Sequence, residues 1–323
     1  MKKILIIRLG AIGDVVHSTI IPQAIKDKYP EVECHFLTTD FIAPLIENCS
    51  YLDKVFKLDN NKKDNFFYLL SLGLKLRKEN YNSIINLTNS SRNIFLSFLA
   101  APKKIIKRSK YGTHAVEAFF NTGLGVFSDL ELPTNLKLTL SKDLPDIMLP
   151  KLAPYKKPFI VLSPGGDNDI LRQGRIWPME NWIELGCKLQ KKSQGTIFIV
   201  GSKSERKYHE ICQKIPNSVI FSGELSLKES AFLFSLADLF VSGDSGPLHI
   251  ASGFETHTIA ILGSTDTVAY GDNSYKVEPS TNCRYCNQKK CSNLKKGEIY
   301  TPCISSISPQ DVLNLIEEKN LLN

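Results

Sequence analysis

The chain alternates short apolar runs with amphipathic stretches from end to end, in two consecutive sets. The apolar runs have the length of strands, and the stretches between them carry the apolar spacing of helices that are covered on one side. Strands that alternate with helices in this way build βαβ units and parallel sheets. The sequence therefore predicts an α/β protein with two Rossmann-like domains.

The predicted strands are short apolar runs, five in each set. They cover residues 4–7, 34–38, 54–58, 83–87 and 136–140 in the first set and 159–163, 196–200, 219–222, 239–242 and 258–262 in the second. The predicted helices cover residues 17–28, 65–79, 91–100 and 114–124, then 179–192, 203–214, 227–237 and 246–253, with a closing helix at 309–320.

A proline-rich segment separates the two sets. Residues 144–158 contain four prolines and show no clear period, which predicts a linker. We therefore predict an N-terminal domain over 1–150, a C-terminal domain over 151–308, and a closing helical segment over 309–323. Two such domains that face each other leave a central cleft at the carboxyl ends of their strands, where ligands of α/β sheets bind.

The loop after the fourth strand of the second set contains residue types that suit an anionic ligand. Gly243 and Gly246 allow backbone N–H groups to approach a ligand, and the helix that follows favours negative charge. Asp244 could bind a hydroxyl or amide donor, and His249 lies in the next helical turn. The alternative is structural, with Asp244 or Ser245 as a helix cap and a buried histidine.

Two further loops of the second set favour a nucleotide diphosphate. Gly165 and Gly166 are followed by Arg172 and Arg175, and guanidinium groups match phosphate oxygens bidentately. Glu205 stands at a predicted helix start, where it either caps the helix or accepts hydrogen bonds from a ribose. The second domain is therefore predicted to bind the nucleotide.

The first loop of the chain, Gly10 to Asp14, resembles a nucleotide-binding turn but lacks the full G-x-G-x-x-G spacing, which disfavours a nucleotide-linked oxidoreductase. Its glycines are expected to let the chain turn tightly. Asp14 would repel a phosphate, but at a helix N-terminus it could serve as a fixed carboxylate that receives a proton from a hydroxyl. The alternative is a simple N-cap.

The positive charge of the chain is concentrated in its first half. Residues 1–155 contain 21 Lys and Arg and 15 Asp and Glu, a net charge of +6, whereas residues 156–323 contain 19 and 18. The surplus includes Lys62, Lys63 and the run 103–110, and it indicates either a solvated face or an anionic partner. Nucleic acid is disfavoured because aromatic residues are not interleaved with these charges.

Three motifs in this order resemble glycosyltransferase family 9, the bacterial heptosyltransferases of the lipopolysaccharide inner core. They are Gly13-Asp14-Val15-Val16-His17, Arg175-Ile176-Trp177-Pro178 and Asp244-Ser245-Gly246-Pro247-Leu248-His249-Ile250-Ala251. The resemblance implies a GT-B fold and inverting transfer of heptose from ADP-heptose to a Kdo-lipid A type acceptor or to a core heptose. It implies no cofactor and no metal for the chemistry.

The resemblance also implies roles for individual residues. Asp14 would be the general base on the acceptor hydroxyl, and Arg175 would neutralise the leaving diphosphate. The residues assigned to the donor are Gly165, Gly166, Glu205, Asp244, Ser245, Gly246 and His249. The residues assigned to the acceptor are Gly13, His17, Lys62 and Lys63.

Four of the eight cysteines cluster near the C-terminus, at Cys283, Cys286, Cys291 and Cys303. Their spacing is compatible with a structural zinc site, and the alternative is reduced thiols or occasional disulfides.

No secretion signal or membrane-length apolar window is present, so we expect a cytoplasmic monomer. Its partners would be a nucleotide-sugar donor and an anionic glycolipid at the inner face of the inner membrane. Two alternatives remain open: another nucleotide-diphosphate-sugar transferase of the cell envelope, and a non-catalytic nucleotide-sugar or carbohydrate-binding protein.

Overall fold

The computed structural model describes residues 2–88, 90–108, 114–165, 175–266, 269–286, 291–295 and 298–322. Contacts divide the chain into two compact units, residues 1–141 and 142–323. Each unit contains a parallel sheet, which confirms the predicted α/β class with two sets of βαβ units. Among the described residues, no helix combines the length and the apolar character needed to cross a membrane.

The first unit has a parallel sheet in the order β3-β2-β1-β4-β5, with helices in the connections. Its strands are β1 (Lys3–Ile7), β2 (Glu33–Thr39), β3 (Lys54–Leu58), β4 (Ser83–Asn86) and β5 (Lys104–Lys107). Its helices are α1 (Ile12–Ser18), α2 (Ile20–Lys28), α3 (Phe66–Arg77), α4 (Ser91–Leu99) and α5 (Ala115–Gly123). The central strand β1 is buried almost throughout, as expected for a parallel strand covered on both faces.

The second unit has a parallel sheet in the order β11-β10-β9-β6-β7-β8. Its strands are β6 (Phe159–Ser163), β7 (Thr196–Ile199), β8 (Ser218–Ile220), β9 (Leu239–Gly243), β10 (His257–Ile261) and β11 (Ser274–Val277). Its helices are α6 (Leu144–Leu152), α7 (Met179–Ser193), α8 (Arg206–His209), α9 (Leu227–Leu236), α10 (Gly246–Ala251), α11 (Pro302–Ser305) and α12 (Pro309–Glu318).

The predicted linker is largely a helix of the second unit. Within residues 144–158, α6 buries Leu144, Met148 and Leu152, which lie four residues apart and therefore on one face. Pro145 occupies the first turn of the helix, where its missing N–H leaves no hydrogen bond unmade. The sequence analysis missed this helix because its prolines are typical of linkers and because only three residues show the helical period.

The prediction of a strand at 136–140 is wrong. Leu136 and Leu138 are buried and Lys137 between them is exposed, which is the pattern of a strand. The backbone of this segment, however, forms hydrogen bonds with side chains and not with a neighbouring strand. The carbonyl of Lys137 accepts a hydrogen bond from the Tyr51 hydroxyl at 2.7 Å, and Thr139 N donates to Cys49 Sγ at 3.4 Å. Strands β5 and β11 were missed because their edge positions leave charged and polar residues exposed.

A buried hydrogen bond attaches the C-terminal helix to the core of the second unit. Trp177 lies next to Trp182 in an edge-to-face pair, and its Nε1 donates to the carbonyl of Ile307 at 2.8 Å, just before α12. Among the described residues, the Nε1 of Trp182 has no hydrogen-bond partner although it is buried. Both indoles are buried, and only the N–H of Trp177 has a hydrogen-bond partner among the described residues.

We expect Trp177→Phe to lower the free energy of unfolding by about 1–2 kcal/mol more than Trp182→Phe does. The first substitution leaves the Ile307 carbonyl with only a 3.4 Å contact from Asn181, whereas the second removes an N–H that had no partner. Urea unfolding followed by far-UV circular dichroism measures both losses. Equal losses would mean that the hydrogen bond does not stabilise the unit.

Candidate active site

The predicted base Asp14 is held by an arginine that ends the central strand of the first unit. Arg8 follows β1, and its guanidinium forms an ion pair with the carboxylate of Asp14 in the first turn of α1. The same guanidinium donates to the carbonyls of Gly10 and Leu87 and to the hydroxyl of Thr88 at 2.8–3.1 Å. Arg8 therefore fixes the Asp14 loop against the end of β4, while the Asp14 side chain stays 30% exposed.

The loop before α1 turns at an alanine and not at a glycine. Ala11 has a φ of 53°, in the left-handed region that L-residues other than glycine adopt only with strain. Gly10 has open space around its Cα, and Gly13 lies within the helix. The expectation that the glycines make this turn is therefore wrong, because the strained residue lies between them.

A second arginine lies near Arg8, and two histidines form a ring contact in the same unit. Arg108 follows β5, and both its guanidinium and that of Arg8 approach the ring of the buried Phe119, at 4.9 and 5.8 Å from the centroid. His17 in α1 and His114 before α5 have ring centroids 5.3 Å apart. Burial lowers the pKa of Arg8 and the charge of Arg108 adds to this shift, whereas Asp14 opposes it.

The predicted acceptor lysines lie at the same sheet edge but at the end of β3, which β2 separates from β1. Lys62 is exposed and pairs with Asp59 at 3.3 Å. The carbonyl of Lys63 accepts a hydrogen bond from Arg92 Nε at 2.7 Å. Both lysines are exposed at this edge of the sheet.

In the second unit, the structure brings Arg175, Asp244 and His249 together. Arg175 lies 3.2 Å from one carboxylate oxygen of Asp244, and His249 Nε2 lies 3.5 Å from the other. Burial acts to raise the pKa of Asp244, but the hydrogen bond from His249 and the charges of Arg175 and His249 outweigh it, so the pKa is lowered. The carboxylate therefore stays ionised and holds the arginine at the sheet edge.

The loop that carries Asp244 is fixed to the neighbouring strand. Ser245 and Ser242 share a hydrogen bond at 2.9 Å, and the Ser242 hydroxyl donates to the carbonyl of Ser163 at the end of β6. A Cβ on Gly243 would approach the carbonyl oxygen of Arg175 to 2.8 Å, so only glycine fits without a backbone shift. Gly246 opens α10, as predicted.

A buried histidine supports the glycine turn after β6. Gly165 has a φ of 80°, and its carbonyl lies 2.9 Å from Nε2 of His209. The Nδ1 of the same imidazole lies 2.7 Å from the Ser222 hydroxyl. The other residues predicted for this loop, Gly166 and Arg172, lie outside the described residues.

Glu205 lies at the start of α8, in the loop after β7, and one of its carboxylate oxygens accepts a hydrogen bond from Ser202 N at 2.6 Å. A Cβ on Gly201 would approach that carboxylate to 2.9 Å, so the loop is compact here. Because β9, β6 and β7 are neighbours in the sheet, the three loops predicted to bind the nucleotide meet at one edge of this unit.

The four C-terminal cysteines are free thiols in the structure. Cys303 is buried, and burial raises the pKa of its thiol. Within the described residues, which omit 287–290 and 296–297, no group of three or more potential ligands is placed to hold a metal ion. The zinc hypothesis therefore gains no support from this part of the chain.

Sequence reasoning missed Arg8, Arg108 and His209. Arg8 had a signal, because a charged residue at the end of an apolar central strand needs a partner. Arg108 was counted only as part of a basic run, and His209 only as part of a predicted helix. Their partners come from distant strands, so the sequence offered no spacing that would pair them.

Comparisons with known proteins identify the family of this chain. Residues 106–298 match the model of glycosyltransferase family 9 (heptosyltransferase). The chain is 24% identical to lipopolysaccharide heptosyltransferase 1 of Campylobacter coli, with 98% of each chain covered.

Two solved structures share the fold. A family 9 glycosyl transferase from Veillonella parvula gives a TM-score of 0.80 at 15% identity, with 99% of this chain and 97% of that chain covered. The E. coli heptosyltransferase WaaC with ADP-2-deoxy-2-fluoro heptose gives 0.73 at 16% identity, with 98% and 99% covered. These matches confirm the resemblance inferred from the three motifs, and the family model covers more than half of the chain. The chain belongs to glycosyltransferase family 9.

Proposed function

We propose that this protein is an inverting, metal-independent heptosyltransferase that uses ADP-heptose as donor. The acceptor is a Kdo-lipid A type glycolipid or a heptose of the lipopolysaccharide core. The observation that carries the proposal is the cluster of Arg175, Asp244 and His249 at the edge where the three predicted nucleotide loops meet. The names of the relatives from Campylobacter coli and E. coli support the sugar and the nucleotide.

The proposal assigns the acceptor to the first unit and the donor to the second. The acceptor hydroxyl attacks the anomeric carbon while the bond from that carbon to the diphosphate oxygen breaks, and ADP leaves. Asp14 receives the hydroxyl proton, and Arg175 neutralises the charge that develops on the diphosphate. As the sugar gains oxocarbenium character the hydroxyl becomes acidic, so a carboxylate is a sufficient base.

The other residues assigned to the site hold these groups in place or contact the substrates. Arg8 positions Asp14, and His209 supports the glycine turn that follows β6. Glu205 is assigned to the nucleoside, and Lys62 and Lys63 to anionic groups of the acceptor. The protein would act at the inner face of the inner membrane, where such a glycolipid is presented.

The test is to incubate the purified protein with ADP-heptose and defined truncated glycolipid acceptors and to measure ADP release. We expect release that depends on the acceptor and persists in the presence of EDTA, because no step needs a metal. UDP-glucose is the comparison donor, and release of UDP instead of ADP would favour another nucleotide-sugar transferase. Release of neither nucleotide with any acceptor would contradict the proposal, and donor binding without release would favour a non-catalytic binding protein.

A further inference from the structure

An exposed apolar surface covers helices α3 and α4 of the first unit. Its five side chains, which we call the α3–α4 face, are between 46% and 79% exposed; they are Phe66, Phe67, Leu74, Ile94 and Phe98. Phe67 and Phe98 are the most exposed of them, at 79% and 75%. Large apolar side chains at this exposure cost free energy in water unless something covers them.

Helices α3 and α4 pack against each other. A Cβ on Gly73 of α3 would approach Leu99 of α4 to 2.5 Å, so the helices are in close contact. One turn before Leu99 in α4, the ring of Phe95 lies 5.7 Å, between centroids, from the ring of Phe66 at the start of α3. The helices therefore run side by side in the same direction. Ile94 and Phe98 are one turn apart and share a face of α4.

The segment of the chain that forms this face also carries most of its surplus of positive charge. Residues 59–108, which include α3, α4 and β5, contain ten Lys and Arg and three Asp and Glu. Their net charge of +7 equals that of the whole chain. Lys62, Lys63, Lys75, Lys103 and Lys104 are all exposed.

The exposed apolar side chains and the positive charge together indicate what kind of partner binds the α3–α4 face. A second copy of the chain would bring the same positive charge against it, and like charges oppose association. An anionic lipid surface instead attracts the lysines and accepts phenylalanine side chains into the boundary between headgroups and acyl chains. Aromatic side chains surrounded by basic residues are typical of surfaces that contact membranes at the interface.

We infer that the α3–α4 face docks this protein on an anionic membrane, with Phe67 and Phe98 inserted at the interface. The inference rests on the proposed function in one respect, since a glycolipid acceptor would be presented on such a membrane. The face lies on the helices next to the lysines assigned to the acceptor, so docking would bring the acceptor headgroup to the edge of the sheet.

The experiment measures sedimentation of the full chain with vesicles of phosphatidylcholine alone or mixed with phosphatidylglycerol. We expect binding to the anionic vesicles only, and weaker binding as salt is added. The double variant F67S/F98S should bind the anionic vesicles at least about tenfold more weakly, because two aromatic side chains no longer leave water. Ile299→Ser, which removes an equally exposed side chain in the second unit, should bind as the unchanged protein does.

A fluorescent variant tests insertion without weakening the face. Both native tryptophans, Trp177 and Trp182, are buried, so the added emission of Phe67→Trp reports on position 67. We expect this emission to shift to shorter wavelength on anionic vesicles and to stay unchanged on neutral ones.

ADP release with a lipid-free acceptor fragment is measured separately, and F67S/F98S should retain it. Failure of the transferase proposal would therefore leave the vesicle result standing.

Three results would overturn the inference. The first is equal binding of the unchanged protein to neutral and anionic vesicles, or to neither. The second is full vesicle binding by F67S/F98S together with an unshifted Phe67→Trp emission. The third is a dimer in lipid-free solution that F67S/F98S converts to a monomer, which would show that a second copy covers the face.

Discussion

Replacing Asp14 with asparagine is expected to lower turnover by about 10²–10⁴-fold while ADP-heptose binding is retained. The amide has the size of the carboxylate and can still accept a hydrogen bond from Arg8, so the loop should keep its position. It cannot take up the proton of the acceptor hydroxyl. Steady-state ADP release gives turnover, and calorimetric titration with the donor gives binding.

The matched control for this experiment is Asp27→Asn, which changes an exposed carboxylate on α2 of the same unit. It should leave turnover unchanged. Full turnover by Asp14→Asn would remove this residue as the base and favour the N-cap interpretation. Loss of donor binding together with turnover would instead indicate a structural role in the site.

Replacing Arg175 with alanine is expected to lower kcat/KM by about 10²–10³-fold, as the loss of one charge-stabilising donor does in other enzymes. Two effects add here. The leaving diphosphate loses a cation, and the buried carboxylate of Asp244 loses its ion pair with the guanidinium and keeps only the contact with His249 among the ion pairs described. Affinity for ADP should fall as well, because ADP carries the same diphosphate.

Arg175→Lys separates charge from geometry. An ammonium group restores the positive charge but not the planar fork, so we expect it to recover part of the lost activity. Arg284→Ala, which removes a half-exposed arginine from the same unit, is the control and should have no effect. Unchanged ADP affinity in Arg175→Ala would place the diphosphate elsewhere in the unit.

Several parts of the fold could be read from the sequence because they depend on local pattern. The strand at residues 54–58 and the strand at 159–163 were predicted with the bounds that the structure has. Continuous apolar runs identify buried parallel strands wherever turn residues bound them. Edge strand β5 was missed, since Lys104 and Lys107 are exposed and its sequence reads as a basic run.

The candidate site could be predicted in its residue types but not in its pairings. Asp14, Arg175 and Asp244 were selected because each follows a strand and carries a group suited to the chemistry. Arg175 and Asp244 lie 69 positions apart, and they meet only because the order of the strands places β6 beside β9. The roles assigned to these residues stay predictions until the variants are measured.

Sequence alone determined that this chain forms parallel sheets in two sets, since the period of apolar residues reports which faces of each element leave water. Tertiary structure alone decided which charges meet. Arg8 holds Asp14 and reaches Thr88 because β1 and β4 are neighbours, and the exposed phenylalanines share a face because α3 and α4 pack together. The physical reason is that periodicity is a property of neighbouring residues, whereas electrostatic pairing and surface patches depend on the order in which distant strands assemble.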